Sequence, residues 1–477
     1  MDFENTEFKR LFSLNLYKYL KLNLAEMRFG KDFTSTRRGD LYPVLEKSED
    51  CRESVEHNQY LLCGGSIKRF VCRFFPYATY ELSASVFNGE VGFAFRLPHA
   101  EAVCSIREAQ LHYRCGTRDL SVDLPDWYEK GAAMMVSCRP LAFDFYLEKN
   151  GKPEYFWTVE EPSFETSDLY SVFSRGEVAL CGSGRVVVRG VRSYLDSGIS
   201  IADMRPIRYE NGEIMQQDGK VYLTVTLRLQ ERMYQGVISW IPGTAEFDLT
   251  GALFYDSGDG RWCADVAASV LYHRGEQKWY LWVCSFLHNH ILGHSSFDGD
   301  PRFGVNVIDI QLMDPAKETD GMDAFVGFVG DEDPDFFYDA SKERWLMAIC
   351  RKDHVTRKYR YVFFESKEPF KGYRCLGMGL DGAETGGSFV TVDGELCFVC
   401  GNDFDAVSDY RIYRGNGMVK AKFDYPDGGF RGWGTLMPIK QGSRTRYYWL
   451  TFDRHNASDY NWSYGNIYCF EAMNAKV

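Results

Sequence analysis

The chain has no apolar run of the roughly 20 residues that a membrane-spanning helix needs, and its opening, MDFENTEFKRLF, lacks a basic stretch followed by an apolar core. As it stands the sequence is expected to be cytoplasmic; a leader already removed would place it in the periplasm or outside the cell. Basic excess is also missing: 55 Lys and Arg face 67 Asp and Glu, a formal charge of -12. Such a balance repels a phosphate backbone and excludes nucleic acid as a partner. The 14 cysteines have no zinc-ligand spacing. The one C-x-x-C, Cys397 and Cys400, lies in the apolar run ELCFVC, where a strand sends the two thiols to opposite faces. Buried free thiols are therefore expected, and no metal is called for.

What is present is apolar and aromatic. Hydrophobic residues make up 45% and aromatic residues 16% of 477, enough for two or three domains with full cores. Residues 1–50 mix leucines with Lys and Asn in a pattern read as a short helix and a polar linker. Residues 51–198 alternate strand-like runs with turn signals, among them Asn88-Gly89 and Asn150-Gly151, and no helical period intervenes. That texture predicts a β-sandwich and resembles lectin-type jelly rolls, which implies glycan binding or a structural role.

From residue 199 to 477 the chain repeats. Strand-like runs led by Tyr222, Tyr280, Trp345, Cys397 and Tyr448 each follow a polar turn. Five β-rich repeats of about fifty to sixty residues predict a five-bladed β-propeller. The expected fold class is all-β, a sandwich followed by that propeller. Inner strands of propeller blades converge on one axis, so chemistry is sought just before each aromatic-led run. Those places hold Glu210 and Glu213, Asp265, Asp333 and Asp335, Glu384, and Arg431. Acids gathered at one mouth suit glycosidic-bond hydrolysis, in which one carboxyl stays protonated while another stays ionised. Trp262, Trp433 and Tyr209 are candidate stacking surfaces for a sugar ring, and Arg431 could pair with an anionic group. His288, His290 and His294 in FLHNHILGH, with His455, are candidates for contacts to sugar hydroxyls, or for a metal if the loop curls.

The motifs in the propeller half resemble those of the five-bladed glycoside hydrolases of family 43 and related families, which include arabinan- and xylan-acting enzymes. Trp262-Cys263-Ala264-Asp265-Val266 stands where the family shows Trp-Ala-Pro-Asp-Val. Asp333-Pro334-Asp335-Phe336-Phe337-Tyr338-Asp339 matches Asp-Pro-x-x-Phe-x-Asp, and Glu384-Thr385-Gly386-Gly387 matches a Glu before small residues. The resemblance implies that Glu384 is the general acid and that Asp333 tunes it. The family's base, an Asp followed by Pro, is replaced by Glu210-Asn211-Gly212-Glu213, so Glu213 or Asp265 is expected to activate water. No cofactor is implied, although a structural calcium or similar ion on the axis is compatible with the likeness. The expected function is cleavage of a plant or algal polysaccharide or oligosaccharide. A non-catalytic glycan-binding protein, a phosphorylase with a cationic phosphate pocket, and a lyase using the histidine loop are the alternatives.

Overall fold

The computed structural model describes residues 1–35, 40–164, 168–321, 328–379, 384–402, 409–415, 417–424, 433–452 and 465–474. Strands dominate, as expected of an all-β chain. The helices among the described residues are short, Leu169–Arg175 and Pro315–Glu318 with one 3-10 turn at Phe3–Asn5. Two compact units emerge: residues 1–20 with 197–477, and residues 21–196. The expected boundary at residue 50 is displaced because the first residues belong to the larger unit.

Where a helix was expected, Thr6–Leu14 is a strand. Thr6 and Phe8 are buried while Glu7 and Lys9 face water, which is a period of two. The strand pairs antiparallel with Ile467–Asn474 and so joins the last sheet of the chain. Phe8 stacks on Phe423 at 4.9 Å and meets Trp449 edge-on at 5.3 Å. Leucine spacing over so short a stretch fits both periods; the partner strand from the far end of the chain decides between them.

The larger unit consists of five sheets taken in chain order. Their leading strands are Ser200–Pro206, Val266–His273, Phe328–Asp339, Glu384–Val392 and Gly434–Gln441. Each pairs antiparallel with a second strand, and these second strands are the runs that carry Tyr222, Tyr280, Trp345, Cys397 and Tyr448. The leading strands lie against one another in cyclic order, first to second and so on to the fifth, which lies against the first. Apolar cores fill the spaces between consecutive sheets. Tyr222, Trp279 and Tyr255 lie between sheets one and two, and Tyr280, Trp345 and Phe336 between sheets two and three. Cys400 joins the core between sheets three and four and Cys397 the core between sheets four and five, on opposite faces of their strand.

In the smaller unit thirteen strands form one hydrogen-bonded network, whose spine is Thr79–Leu97 paired with Glu177–Asp196. Asn150-Gly151 makes the expected tight turn, with φ of 53° and 74°. Asn88-Gly89 does not. It lies inside the strand Thr79–Leu97, where Gly89 faces Gly184 and Asn88 faces Arg185 just before a register shift. A Cβ on Gly89 would come within 2.1 Å of the Ser183 carbonyl oxygen, so glycine serves a close approach of two strands rather than a turn.

Candidate active site

One backbone device recurs in the larger unit. Sheets one to four each carry a bulge in the leading strand, between Ala202 and Arg205, Val266 and Ser269, Glu332 and Asp335, and Thr385 and Ser388. The first extra residue is left-handed each time: Asp203 at φ 55°, Ala267 at 60°, Asp333 at 52° and Gly386 at 60°. A residue with a Cβ pays about 1–2 kcal/mol for that conformation, so only Gly386 occupies it without penalty. Aspartates are held there in sheets one and three and Ala267 in sheet two. Asp203 is a residue that the sequence argument missed.

Asp333 is strongly perturbed. Burial raises its pKa well above the carboxylate range, and the negative charges of Asp203 and Glu332 raise it further, against the Arg205 guanidinium and the Gly386 N–H. Across from it, the Thr385 hydroxyl donates to Asp333 Oδ2 at 3.3 Å. Arg205 Nη2 donates to the Asp333 carbonyl at 2.8 Å and ties the strained turn of sheet three to sheet one. Asp203 is 8% exposed, with Arg228 Nη2 at 4.0 Å from Oδ2.

One residue before each bulge the chain carries Asp265, Asp331 and Glu384 in sheets two, three and four. All three are buried, and each is bound within the unit. Asp265 accepts from Ser285 Oγ at 2.7 Å and from the Phe286 N–H at 3.0 Å, and burial raises its pKa. Asp331 lies 2.7 Å from Arg351 Nε and is pushed by burial up to about 6. Glu384 accepts from the Tyr413 hydroxyl and from the Tyr361 N–H. The expected acid therefore faces away from Asp333: successive side chains alternate along a strand, and it is Thr385 that meets the aspartate.

The expected base is displaced as well. Glu210 and Glu213 come seven and ten residues after Asp203, past the other end of the leading strand, so at about 3.3 Å per residue Glu210 is roughly 20 Å away. Glu210 accepts from Arg274 at 2.8 Å, and Glu213 lies 2.7 Å from Lys440 Nζ. They occupy a short excursion, Arg208–Gln217, inserted between the leading and second strands of sheet one. A search just before the aromatic-led strand lands on that excursion. The signal that would have found Asp203 is the shared spacing of Asp203 to Arg205 and Asp333 to Asp335, both at i, i+2.

Asp335, one of the acids expected at the propeller mouth, is fully buried and saturated. It accepts from Arg208 Nη2 and Ser269 Oγ, both at 2.6 Å, and from the Phe389 N–H at 2.7 Å, with Arg205 Nη1 at 3.4 Å. It thereby fastens the leading strands of sheets one, two and four to its own. Trp433, expected to stack on a sugar, is 3% exposed. Its indole N–H donates to the Met204 carbonyl at 3.1 Å, and its ring sits over the Arg205 guanidinium and against Gly386. Trp262 is partly buried in the two-residue strand that precedes Asp265. Tyr209 carries the Arg274 guanidinium on its ring at 4.6 Å, at the Glu210 end. Arg431 and His455 lie outside the described residues.

The histidines diverge. His288 Nδ1 is 2.8 Å from Ser285 Oγ and its Nε2 is 3.3 Å from Ser257 Oγ, so Asp265, Ser285, His288 and Ser257 form one chain of hydrogen bonds. His290 Nδ1 is 3.3 Å from Glu332, whose charge raises its pKa. His294 is wedged between Trp282 and Phe370, and burial lowers it to about 4. Among the described residues no group of three or more His, Cys, Asp or Glu is placed to hold a metal.

No family model and no curated protein matches the sequence. Several solved structures share part of the chain path. An α-L-arabinofuranosidase from Podospora anserina, solved in complex with cellotriose, is 12% identical, covers 58% of this chain and 92% of its own, and has a TM-score of 0.38. A GH43 β-1,3-galactosidase is 12% identical over 56% of this chain and 93% of its own, with a TM-score of 0.39. A family 117 glycoside hydrolase from Zobellia galactanivorans is 11% identical over 58% and 86%, with a TM-score of 0.38. Likeness at this level transfers no residue role.

Proposed function

We propose that the five sheets are blades of a propeller and that the chain is a glycoside hydrolase acting through Asp333 and Asp203. The cyclic contact of the five leading strands supports the architecture. The observation that carries the chemistry is the pair of strained aspartates on equivalent bulges, one of which raises the pKa of the other. A carboxyl whose surroundings raise its proton affinity, set beside a second carboxylate, suits a reaction that needs an acid and a base together.

In this reading Asp333 keeps its proton and delivers it to the glycosidic oxygen. Asp203 either draws a proton from water or attacks the anomeric carbon; the separation of the two carboxyls decides which. Arg205 and Thr385 hold Asp333 in place, Arg205 through its carbonyl and Thr385 through its carboxyl. The Asp265–Ser285–His288 chain orients the histidine loop beside the acids. The substrate class is a plant or algal polysaccharide or oligosaccharide, and residues 21–196 act as a β-sandwich accessory unit.

The sealed carboxyl of Glu384 favours one competing reading, a glycan-binding protein in which Asp203 and Asp333 accept from sugar hydroxyls. Turnover of a panel of aryl glycosides and plant oligosaccharides separates the two. Hydrolysis by the parent chain that is lost in Asp333→Asn and in Asp203→Asn supports catalysis. Hydrolysis that survives both substitutions rejects the assignment, and binding without any hydrolysis by the parent favours the competitor.

A further inference from the structure

A second site lies in the larger unit, at the end of the leading strands away from Asp203. A cavity of about 490 Å³ opens between the Arg208–Gln217 excursion of sheet one and the hairpin that joins the first two strands of sheet two. That volume falls within the range of small-molecule sites. Its floor is aromatic: Tyr209 and Tyr272 meet at 6.5 Å and are partly exposed, and Trp279 packs against Tyr272 at 5.0 Å. Its rim is made of amide and carboxylate groups, Gln217, Gln277 and Asp298, all exposed. The side chains of these three engage no partner among the described residues.

The wall is built to last. Arg302 lies over Tyr222 at 4.8 Å and Trp279 at 5.6 Å, and a two-pronged contact to Asp300, at 2.9 and 2.7 Å, fixes its guanidinium. The one cation lining the cavity is thus neutralised within it, while Asp298 keeps a free carboxylate facing the opening. Anions are disfavoured by that charge. The remaining combination, the partly exposed Tyr209 and Tyr272 rings beside hydrogen-bonding amide and carboxylate groups, matches a molecule with an apolar C–H face and many hydroxyls.

We propose that this cavity is a binding site for one or two residues of a neutral saccharide, separate from the aspartate pair. It does not depend on the catalytic reading: a glycan could be held there by an enzyme or by a binding protein. Tyr209 has a place in it as a ring surface, the role its residue type suggested, but at a different site from the acids.

The test is migration of the full chain through native gels containing arabinoxylan, arabinan, laminarin or galactan. Retardation by at least one of the four is expected in the parent. In the double variant Gln277→Ala/Asp298→Ala the dissociation constant from that gel should rise at least tenfold, with the thermal midpoint unchanged because both residues are exposed. Retardation that is unaltered in the double variant overturns the proposal. So does the failure of all four polysaccharides to retard the parent.

Discussion

Two rows of carboxylates lie side by side on the leading strands and behave in opposite ways. Asp265, Asp331 and Glu384 precede the bulges and are each taken up within the unit, Asp265 and Glu384 by hydrogen-bond donors and Asp331 by the Arg351 guanidinium. Asp203 and Asp333 sit on the bulges, and burial together with the charge of Asp203 raises the pKa of Asp333. Each member of the first row stands within two residues of its counterpart position in the second, so proximity in sequence says little about which acid is available. The difference lies in the direction of the side chain. Alternation aims the first row into the sheets, and the left-handed turn redirects the second.

Exchanging the carboxylates for amides breaks this comparison most sharply. Asp333→Asn should reduce turnover by about 10²–10⁴-fold, the usual worth of a positioned proton donor, and Asp203→Asn should fall in the same range, as measured on an activated glycoside. Next comes Asp335→Ala, which strands Arg205 and Arg208 in the core. It should cost about 3–5 kcal/mol in chemical denaturation, and a loss below 1 kcal/mol would remove the fastening role.

A smaller effect concerns pH. The charge of Asp203 raises the pKa of Asp333, so the alkaline limb of kcat/KM reports loss of the Asp333 proton. By the same sign, the stability that Asp333 contributes is present below the ordinary carboxylate range and lost as pH rises through its raised pKa. Asp203→Asn should lower that pKa and move the loss to lower pH, read by NMR titration of the Asp333 carboxyl. An unmoved titration would uncouple the pair. The smallest change is expected from Glu384→Gln, which keeps a hydrogen-bonding group of the same shape. Turnover should persist, at a stability cost of about 1 kcal/mol; a collapse of turnover would return the acid role to Glu384.

The repeat was legible in the sequence because each second strand opens on a large or sulfur-bearing side chain that must be buried between sheets. The place of Asp333 on a leading strand was legible because its Asp-Pro step stands in phase with that repeat. Asp203 was not, since Ser200–Pro206 reads as an ordinary buried strand and the excursion that follows it shifts the phase of sheet one. Glu384 misled because a motif of letters does not record which side of the strand a carboxyl leaves from. Thr6–Leu14 misled because its partner is more than four hundred residues away.

By itself, then, the sequence determined an all-β chain, five repeats with aromatic-led second strands, and a surplus of acids in phase with them, since burial and strand period are written in local composition. Only the tertiary structure decided which acids meet. A bulge of one residue reverses the face of everything after it, and whether a carboxylate is spent or free depends on donors from other strands of the sheets, set by long-range pairing rather than by the residues beside it.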